Sequence, residues 1–182
     1  MKKILSILTI ALIITGCSLT EDMSNTPTKQ VETYLNNYQT LDDDVLSRLD
    51  SIVSKESEFT VEQQDSYREI LKDHFKNLTY TIKEETVNGD SATVEAEIEV
   101  TDYAEKIKEI EAYKNENEDE FLDESGVYSE ILYNDYKLEH LGKADEKVKY
   151  TLYFSLSKEN DKWILNDLTS DEQQKLLGIY EY

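Results

Sequence analysis

The chain has 182 residues, with 40 acidic against 19 basic side chains and a formal net charge of -21 at pH 7. This length suits one ordinary domain, a single cysteine excludes a disulfide scaffold, and 13 tyrosines with four phenylalanines supply enough apolar surface to exclude wholesale disorder. The negative charge repels phosphates and no basic cluster offsets it, so we predict no nucleic-acid partner.

The first residues have the pattern of a secretory signal. Lys2 and Lys3 give a positive start, and an uncharged, mostly apolar run follows over residues 4–15. The run is too short for a membrane-spanning helix, which needs ~20 apolar residues. The pattern therefore predicts a signal peptide over residues 1–16.

The apolar run ends in Ile14, Thr15, Gly16 and Cys17, and these four residues resemble a bacterial lipobox. The small Thr15 and Gly16 let a peptidase approach, and the resemblance implies that diacylglycerol is attached to Cys17 before cleavage makes it the mature N-terminus. Two alternatives stay open, a signal peptide with a chance cysteine near its cleavage site and a buried core cysteine. Position, neighbours and uniqueness together favour the lipobox.

A lipidated Cys17 determines the predicted location. Two acyl chains give stable anchoring, whereas a single chain binds a membrane only marginally. We predict an extracytoplasmic protein that is anchored to the bacterial cell membrane and does not span it, with the covalent diacylglycerol in place of any cofactor. Residues 17–25 are predicted to form the lipidated cysteine and tether, and residues 26–182 a single domain.

Three amphipathic helices are predicted before any strand. The first starts at Thr26 and Pro27, the second near Leu41, and the third at a capping box of Thr60 and Gln63. Their apolar residues recur at helical spacing: Val31, Tyr34, Leu35 and Tyr38; Val45, Leu46, Leu49, Ile52 and Val53; Tyr67, Ile70, Leu71, His74, Phe75 and Leu78.

Period-two alternation then predicts a β-hairpin that turns at Asn88 and Gly89. Its return strand alternates apolar residues with Glu95, Glu97 and Glu99, which share the opposite face. These carboxylates suggest either a cation site or a solvated face. The solvated face is favoured because repelling carboxylates on an exposed strand are usually hydrated.

Residues 102–141 return to helical spacing and are predicted to be a helical insertion of two segments. Between them, residues 115–125 are the most acidic stretch and are predicted to be a flexible linker. The stretch lacks the spacing of an EF-hand, so calcium binding there is unsupported. The second segment has its predicted inward face at Val127, Ile131, Leu132, Tyr136 and Leu138.

A second hairpin and a short helix complete the chain. The hairpin alternates from Val148 onward and turns over residues 158–162, and Thr169 with Glu172 caps the last helix. The predicted fold is α+β, with N-terminal helices packed on a curved antiparallel sheet of about four strands in two hairpins. The helical insertion lies between the hairpins, and a short helix ends the domain.

Four short motifs carry a resemblance to a known group: Thr26-Pro27, Phe75-Lys76-Asn77-Leu78, Asn88-Gly89-Asp90-Ser91-Ala92 and Asp161-Lys162-Trp163-Ile164. The arrangement resembles bacterial lipoproteins with a cystatin-like, nuclear-transport-factor-2-like fold. In that group a curved antiparallel sheet wraps helices into a cone, and many members have no assigned activity. The resemblance implies fold and location only.

Side chains suited to catalysis are scarce. His74 lies on an apolar helix stripe and is predicted to be a hydrogen-bonded core residue, and His140 is predicted to interact with a helix C-terminus. The chain contains no hydrolase, metalloprotease or nucleotide-binding motif. We therefore predict no catalytic residue and no metal ligand.

Three functions are compatible with these features. The preferred one is a non-catalytic interaction or binding module at the envelope, whose partner is an envelope protein or a wall polymer and which presents an exposed aromatic patch. The second is a small-molecule or lipid carrier that uses the cone interior, which Trp163, Phe154 and Tyr150 would block by filling it. The third is an enzyme with a buried Asp or Glu beside a Tyr or His74. The sequence indicates no oligomeric state.

Overall fold

The computed structural model describes residues 25–181. The predicted signal peptide, the lipobox of Ile14, Thr15, Gly16 and Cys17, and the tether before Asn25 lie outside this range. The elements in chain order are α1 (Pro27–Thr40), α2 (Asp43–Val53), α3 (Val61–Lys76), β1 (Thr79–Asn88), β2 (Ser91–Thr101), α4 (Tyr103–Glu116), a 3₁₀ turn (Glu118–Phe121), α5 (Glu130–Leu141), β3 (Lys147–Glu159), β4 (Lys162–Leu165) and α6 (Ser170–Leu176).

Side-chain caps determine where the helices start. The Thr26 hydroxyl accepts the Lys29 backbone N–H in the first turn of α1, and the Asp42 carboxylate accepts the Val45 backbone N–H in the first turn of α2. Thr60 with Gln63 and Thr169 with Glu172 form complete capping boxes at α3 and α6. The capping boxes predicted from the sequence are confirmed.

The four strands form one antiparallel sheet in the order β1-β2-β3-β4. Each hairpin turns where the backbone can adopt positive φ: Gly89 has φ 62° in the first turn, and Asn160 and Asp161 have φ 49° and 63° in the second. The central pair β2 and β3 joins the hairpins. The predicted α+β architecture, with helices preceding the sheet and a short helix ending the chain, is confirmed.

One face of β2 carries the core and the other carries charge. The inward side chains are at most 5% exposed, and they run from Ala92 to Val100 at every second position. On the opposite face Glu97 lies 3.4 Å from Lys83 and Glu99 lies 3.4 Å from Lys149. The structure therefore favours the solvated, ion-paired interpretation of this face, and no metal-ligand cluster is present among residues 25–181.

A second, smaller hydrophobic cluster joins α4, the 3₁₀ turn and α5. Phe121 is only 2% exposed, and its ring packs edge-on against Tyr133 and Tyr136. The prediction of a flexible linker over residues 115–125 is wrong for this part of the stretch. Phe121 packs this part of the stretch onto α5.

The inward face predicted for the second insertion helix is also partly wrong. Leu138 is buried as predicted, but Val127, Ile131 and Leu132 are exposed, and Tyr133 is buried instead. There are two reasons. The helix α5 starts only at Glu130, so Val127 belongs to the preceding loop. The packing of α5 against α3 and α4 leaves Ile131 and Leu132, in its first turn, facing solvent.

Candidate functional site

Hydrogen bonds within the loop before α5 fix the shape of its backbone. The Asp123 N–H donates to the Val127 carbonyl at 2.7 Å, and the Asp123 carboxylate accepts from the backbone N–H groups of Ser125 and Val127 at 2.8 and 3.0 Å. Gly126 supplies the positive φ of 74° that closes the turn. The side chains that follow the turn are therefore presented on a defined backbone.

The first turn of α5 is pinned to its neighbours by polar contacts. The Ser129 N–H donates to the Phe121 carbonyl at 2.7 Å. The buried Gln63 amide donates to the Ile131 carbonyl at 3.0 Å and to the Asp135 carboxylate at 2.7 Å, while its oxygen completes the α3 capping box. Gln63 thus serves two helices at once. The capping box could be found in the sequence, but no sequence signal marked the second role.

Four large apolar side chains project into solvent from this loop and turn. Val127 is 60% exposed, Tyr128 41%, Ile131 53% and Leu132 41%, and we call these four residues the apolar patch. They are four of the nine exposed large apolar residues between Asn25 and Glu181, and they occur within six consecutive positions. Single exposed apolar residues are ordinary, whereas four within six positions are a concentration of exposed apolar surface.

The surroundings of the apolar patch are acidic. Asp123 and Glu124 precede it along the chain, Glu130 lies between Tyr128 and Ile131, and all three residues are at least partly exposed. The cation beside the patch is Lys114, whose ammonium lies 4.1 Å from the Tyr133 ring centre and 4.8 Å from the Tyr128 ring centre. Lys114 therefore contacts the patch through the Tyr128 ring.

The two histidines have structural positions. His74 is 2% exposed, donates from Nε2 to the Leu176 carbonyl at 2.9 Å and stacks on Tyr103, so the predicted hydrogen-bonded core histidine is confirmed. Burial lowers the pKa of His74 to about 4, and its Nδ1 has no hydrogen-bond partner among residues 25–181. His140 donates from Nδ1 to the Tyr136 carbonyl in the last turn of α5.

A carrier would need an open cavity inside the domain, and an enzyme would need a buried acid. Tyr150 and Phe154 are at most 2% exposed, and Trp163 packs against the same cluster, so side chains fill the space between sheet and helices. No Asp or Glu between residues 25 and 181 is buried. A buried acid beside Tyr or His74, which the enzyme hypothesis requires, is therefore not found in this part of the chain.

The comparison with known protein families gives a match at the start of the chain. Residues 1–18 match the family described as the prokaryotic membrane lipoprotein lipid attachment site. The chain is a bacterial lipoprotein. A lipidated N-terminal cysteine anchors this lipoprotein to the membrane at the cell surface, and no helix within residues 25–181 is long and apolar enough to cross a bilayer. Cys17, the only cysteine, is the residue that we predict to carry the lipid.

Among solved structures, the lipoprotein is similar to ycdA of Bacillus subtilis subsp. subtilis str. 168, a protein provisionally assigned as a lipoprotein. The sequences are 16% identical, the TM-score is 0.42, and the similarity covers 82% of this chain but only 46% of that one. The comparison with curated proteins gives no match. The cystatin-like detail of the predicted fold stays a prediction.

The assignment of Cys17 makes a direct prediction. Replacing Cys17 with serine removes the only thiol, so we expect precursor of full length that incorporates no fatty acid. Metabolic labelling with radioactive palmitate and the mass of the membrane-bound protein provide the measurement. Ser18→Ala is the control, because it leaves the thiol and the three residues before it intact. Normal labelling of the Cys17→Ser protein would contradict the assignment.

Proposed function

We propose that this lipoprotein is a non-catalytic binding module that holds an envelope protein through the apolar patch. The observation that carries the proposal is the exposure of Val127, Tyr128, Ile131 and Leu132 on a backbone fixed by hydrogen bonds. A surface that is already ordered loses little conformational entropy on binding, which favours affinity. Tyr128 supplies the aromatic component, and aliphatic side chains make up the rest of the patch.

The charge around the patch specifies the partner. Acidic residues adjoin it along a chain with a net charge of -21, so an apolar segment with basic flanks is the complementary ligand. Anionic lipid headgroups and anionic wall polymers would be repelled by the same acidic residues. Among the partners that the sequence left open, this charge favours an envelope protein, and the lipid anchor keeps the patch where such a protein is found.

Site-specific crosslinking in living cells tests this function. A photoreactive benzoylphenylalanine replaces Ile131 in one strain and Ile164 in the other, since both isoleucines are exposed, at 53% and 44%, and Ile164 lies on β4 away from the patch. We expect a discrete protein adduct at position 131 that is absent at position 164. Adducts to wall polymer alone, or the same adducts at both positions, would contradict the proposed protein partner.

Substitutions in the patch provide the quantitative test once the adduct is identified. Leu132→Ser with Ile131→Ser is expected to weaken binding to the identified partner at least about tenfold, because two anchoring side chains lose apolar contact area. Ile164→Ser is the matched control and is expected to leave affinity unchanged. All three substitutions are at exposed positions, so unfolding free energies should stay within about 0.5 kcal/mol of wild type. Equal affinities for the patch and control variants would contradict the proposal.

A further inference from the structure

A pocket of about 200 Å³ lies on the helical side of the domain, between α1, α2, the end of α3 and α6. It is separate from the apolar patch, and none of the patch residues lines it. Its volume is below the ~300 to 1,000 Å³ of sites for drug-sized ligands, so it suits a small molecule.

The floor of the pocket is aromatic and apolar. Tyr38, Phe75 and Leu176 are 6%, 2% and 3% exposed, and the Tyr38 ring packs edge-on against Tyr34 and Phe75 with ring centres 5.2 and 4.8 Å apart. This floor offers an organic ligand a preformed contact surface, because the rings are already held in place by one another.

Two phenols bring hydroxyl groups to this floor. The Tyr34 and Tyr38 oxygens are 3.1 Å apart and share one hydrogen bond. Burial raises the pKa of Tyr34 well above its usual range, so its phenol is neutral at physiological pH. The shared bond uses one phenolic hydrogen, which leaves the hydrogen of the other phenol as a donor for a ligand.

Two cations stand at the mouth of the pocket. Arg48 of α2 and Lys55, just beyond its end, both line it and are both exposed. Within residues 25–181 neither has a carboxylate within 4.0 Å, whereas the other arginine, Arg68, binds Asp50 at 2.8 Å and Asp65 at 2.6 Å. On a chain with 40 acidic residues, two unpaired cations at one opening make it locally attractive to anions.

We propose that this pocket binds a small organic carboxylate, with the carboxylate between Arg48 and Lys55 and the apolar body against Tyr38 and Phe75. The guanidinium fork of Arg48 matches a carboxylate in a way that a lysine ammonium does not. The phenol pair donates its remaining hydrogen to the ligand.

The test uses 3-phenylpropanoate as the probe and its uncharged amide as the comparison. The mature lipidated protein is placed in phosphatidylcholine nanodiscs, and binding is measured by saturation-transfer NMR and calorimetry against empty nanodiscs. We expect saturable binding of the carboxylate, and binding of the amide that is at least about tenfold weaker, since the amide forms no ion pair. Absence of saturable binding up to ~10 mM, or equal affinity for the two probes, would overturn the proposal.

Variants assign the binding to this pocket. Arg48→Gln with Lys55→Gln should weaken carboxylate binding at least about tenfold, while Lys162→Gln, an exposed cation on β4, should leave it unchanged. A loss of binding in the Lys162→Gln protein equal to that of the double variant would show non-specific attraction and overturn the assignment.

Discussion

Replacing Gly178 with alanine is expected to lower the free energy of unfolding by about 3 kcal/mol or more. Gly178 follows α6 with φ +70°, and a Cβ built there would lie 2.1 Å from the Thr101 carbonyl oxygen and 3.2 Å from Cε1 of His74. The Gly178 carbonyl also accepts the Ala104 N–H at 2.8 Å, which holds the chain end against α4. A left-handed backbone costs a non-glycine residue ~1 to 2 kcal/mol, and the clash with β2 adds to that cost.

Substitutions at two other glycines allow the energetic cost of the clash to be separated from the cost of the left-handed backbone. Gly89 and Gly126 have φ +62° and +74°, but a Cβ at either position would meet nothing within 4 Å. Gly89→Ala and Gly126→Ala should therefore lose only ~1 to 2 kcal/mol each. Urea unfolding of the soluble domain, residues 18–182, measures all three. A Gly178→Ala protein as stable as Gly89→Ala would mean that the end of α6 moves away from β2 at little cost.

Acidification is expected to destabilise the wild-type lipoprotein through His74. Burial lowers the pKa of His74 to about 4 from an unfolded value of 6.5, so the unfolded chain binds the extra proton between these pH values. The stabilisation is complete above pH 6.5 and is lost as the pH falls toward 4. The two pKa values correspond to a loss of about 2 kcal/mol between pH 7.5 and pH 5.0.

The measurement compares two proteins across this pH range. His74→Gln keeps an N–H that can donate to the Leu176 carbonyl and removes the titrating group. The many carboxylates titrate alike in both proteins, so the difference between their unfolding free energies isolates His74. We expect that difference to shrink by about 2 kcal/mol from pH 7.5 to pH 5.0. A constant difference would mean that folding does not lower the pKa of His74.

Local chemistry explains what could be predicted from the sequence. The capping boxes at Thr60 and Thr169 and the turn at Gly89 depend on residues within three or four positions of one another, and the structure contains each of them. The alternation of apolar and polar residues in β2 likewise predicts correctly that every second side chain is buried. The match of residues 1–18 to a lipid attachment site also depends on adjacent residues alone.

Neither candidate site could be found in this way. Ile131 and Leu132 have the spacing of a buried helix face, and only the packing of α5 against α3 and α4, fixed in part by Gln63, turns them toward solvent. The pocket between the helices likewise joins Tyr38 and Arg48 of α1 and α2 to α6, which lies far from both along the chain.

The sequence by itself determined the anchor, the starts of α1, α3 and α6, the hairpin turns and the α+β class of this lipoprotein. Tertiary structure alone decided which apolar side chains stay exposed and which cations stay unpaired. The physical reason is that capping, turn formation and alternation are set by neighbouring residues. Exposure and ion pairing depend instead on how whole elements pack, because a side chain is buried only when another element covers it.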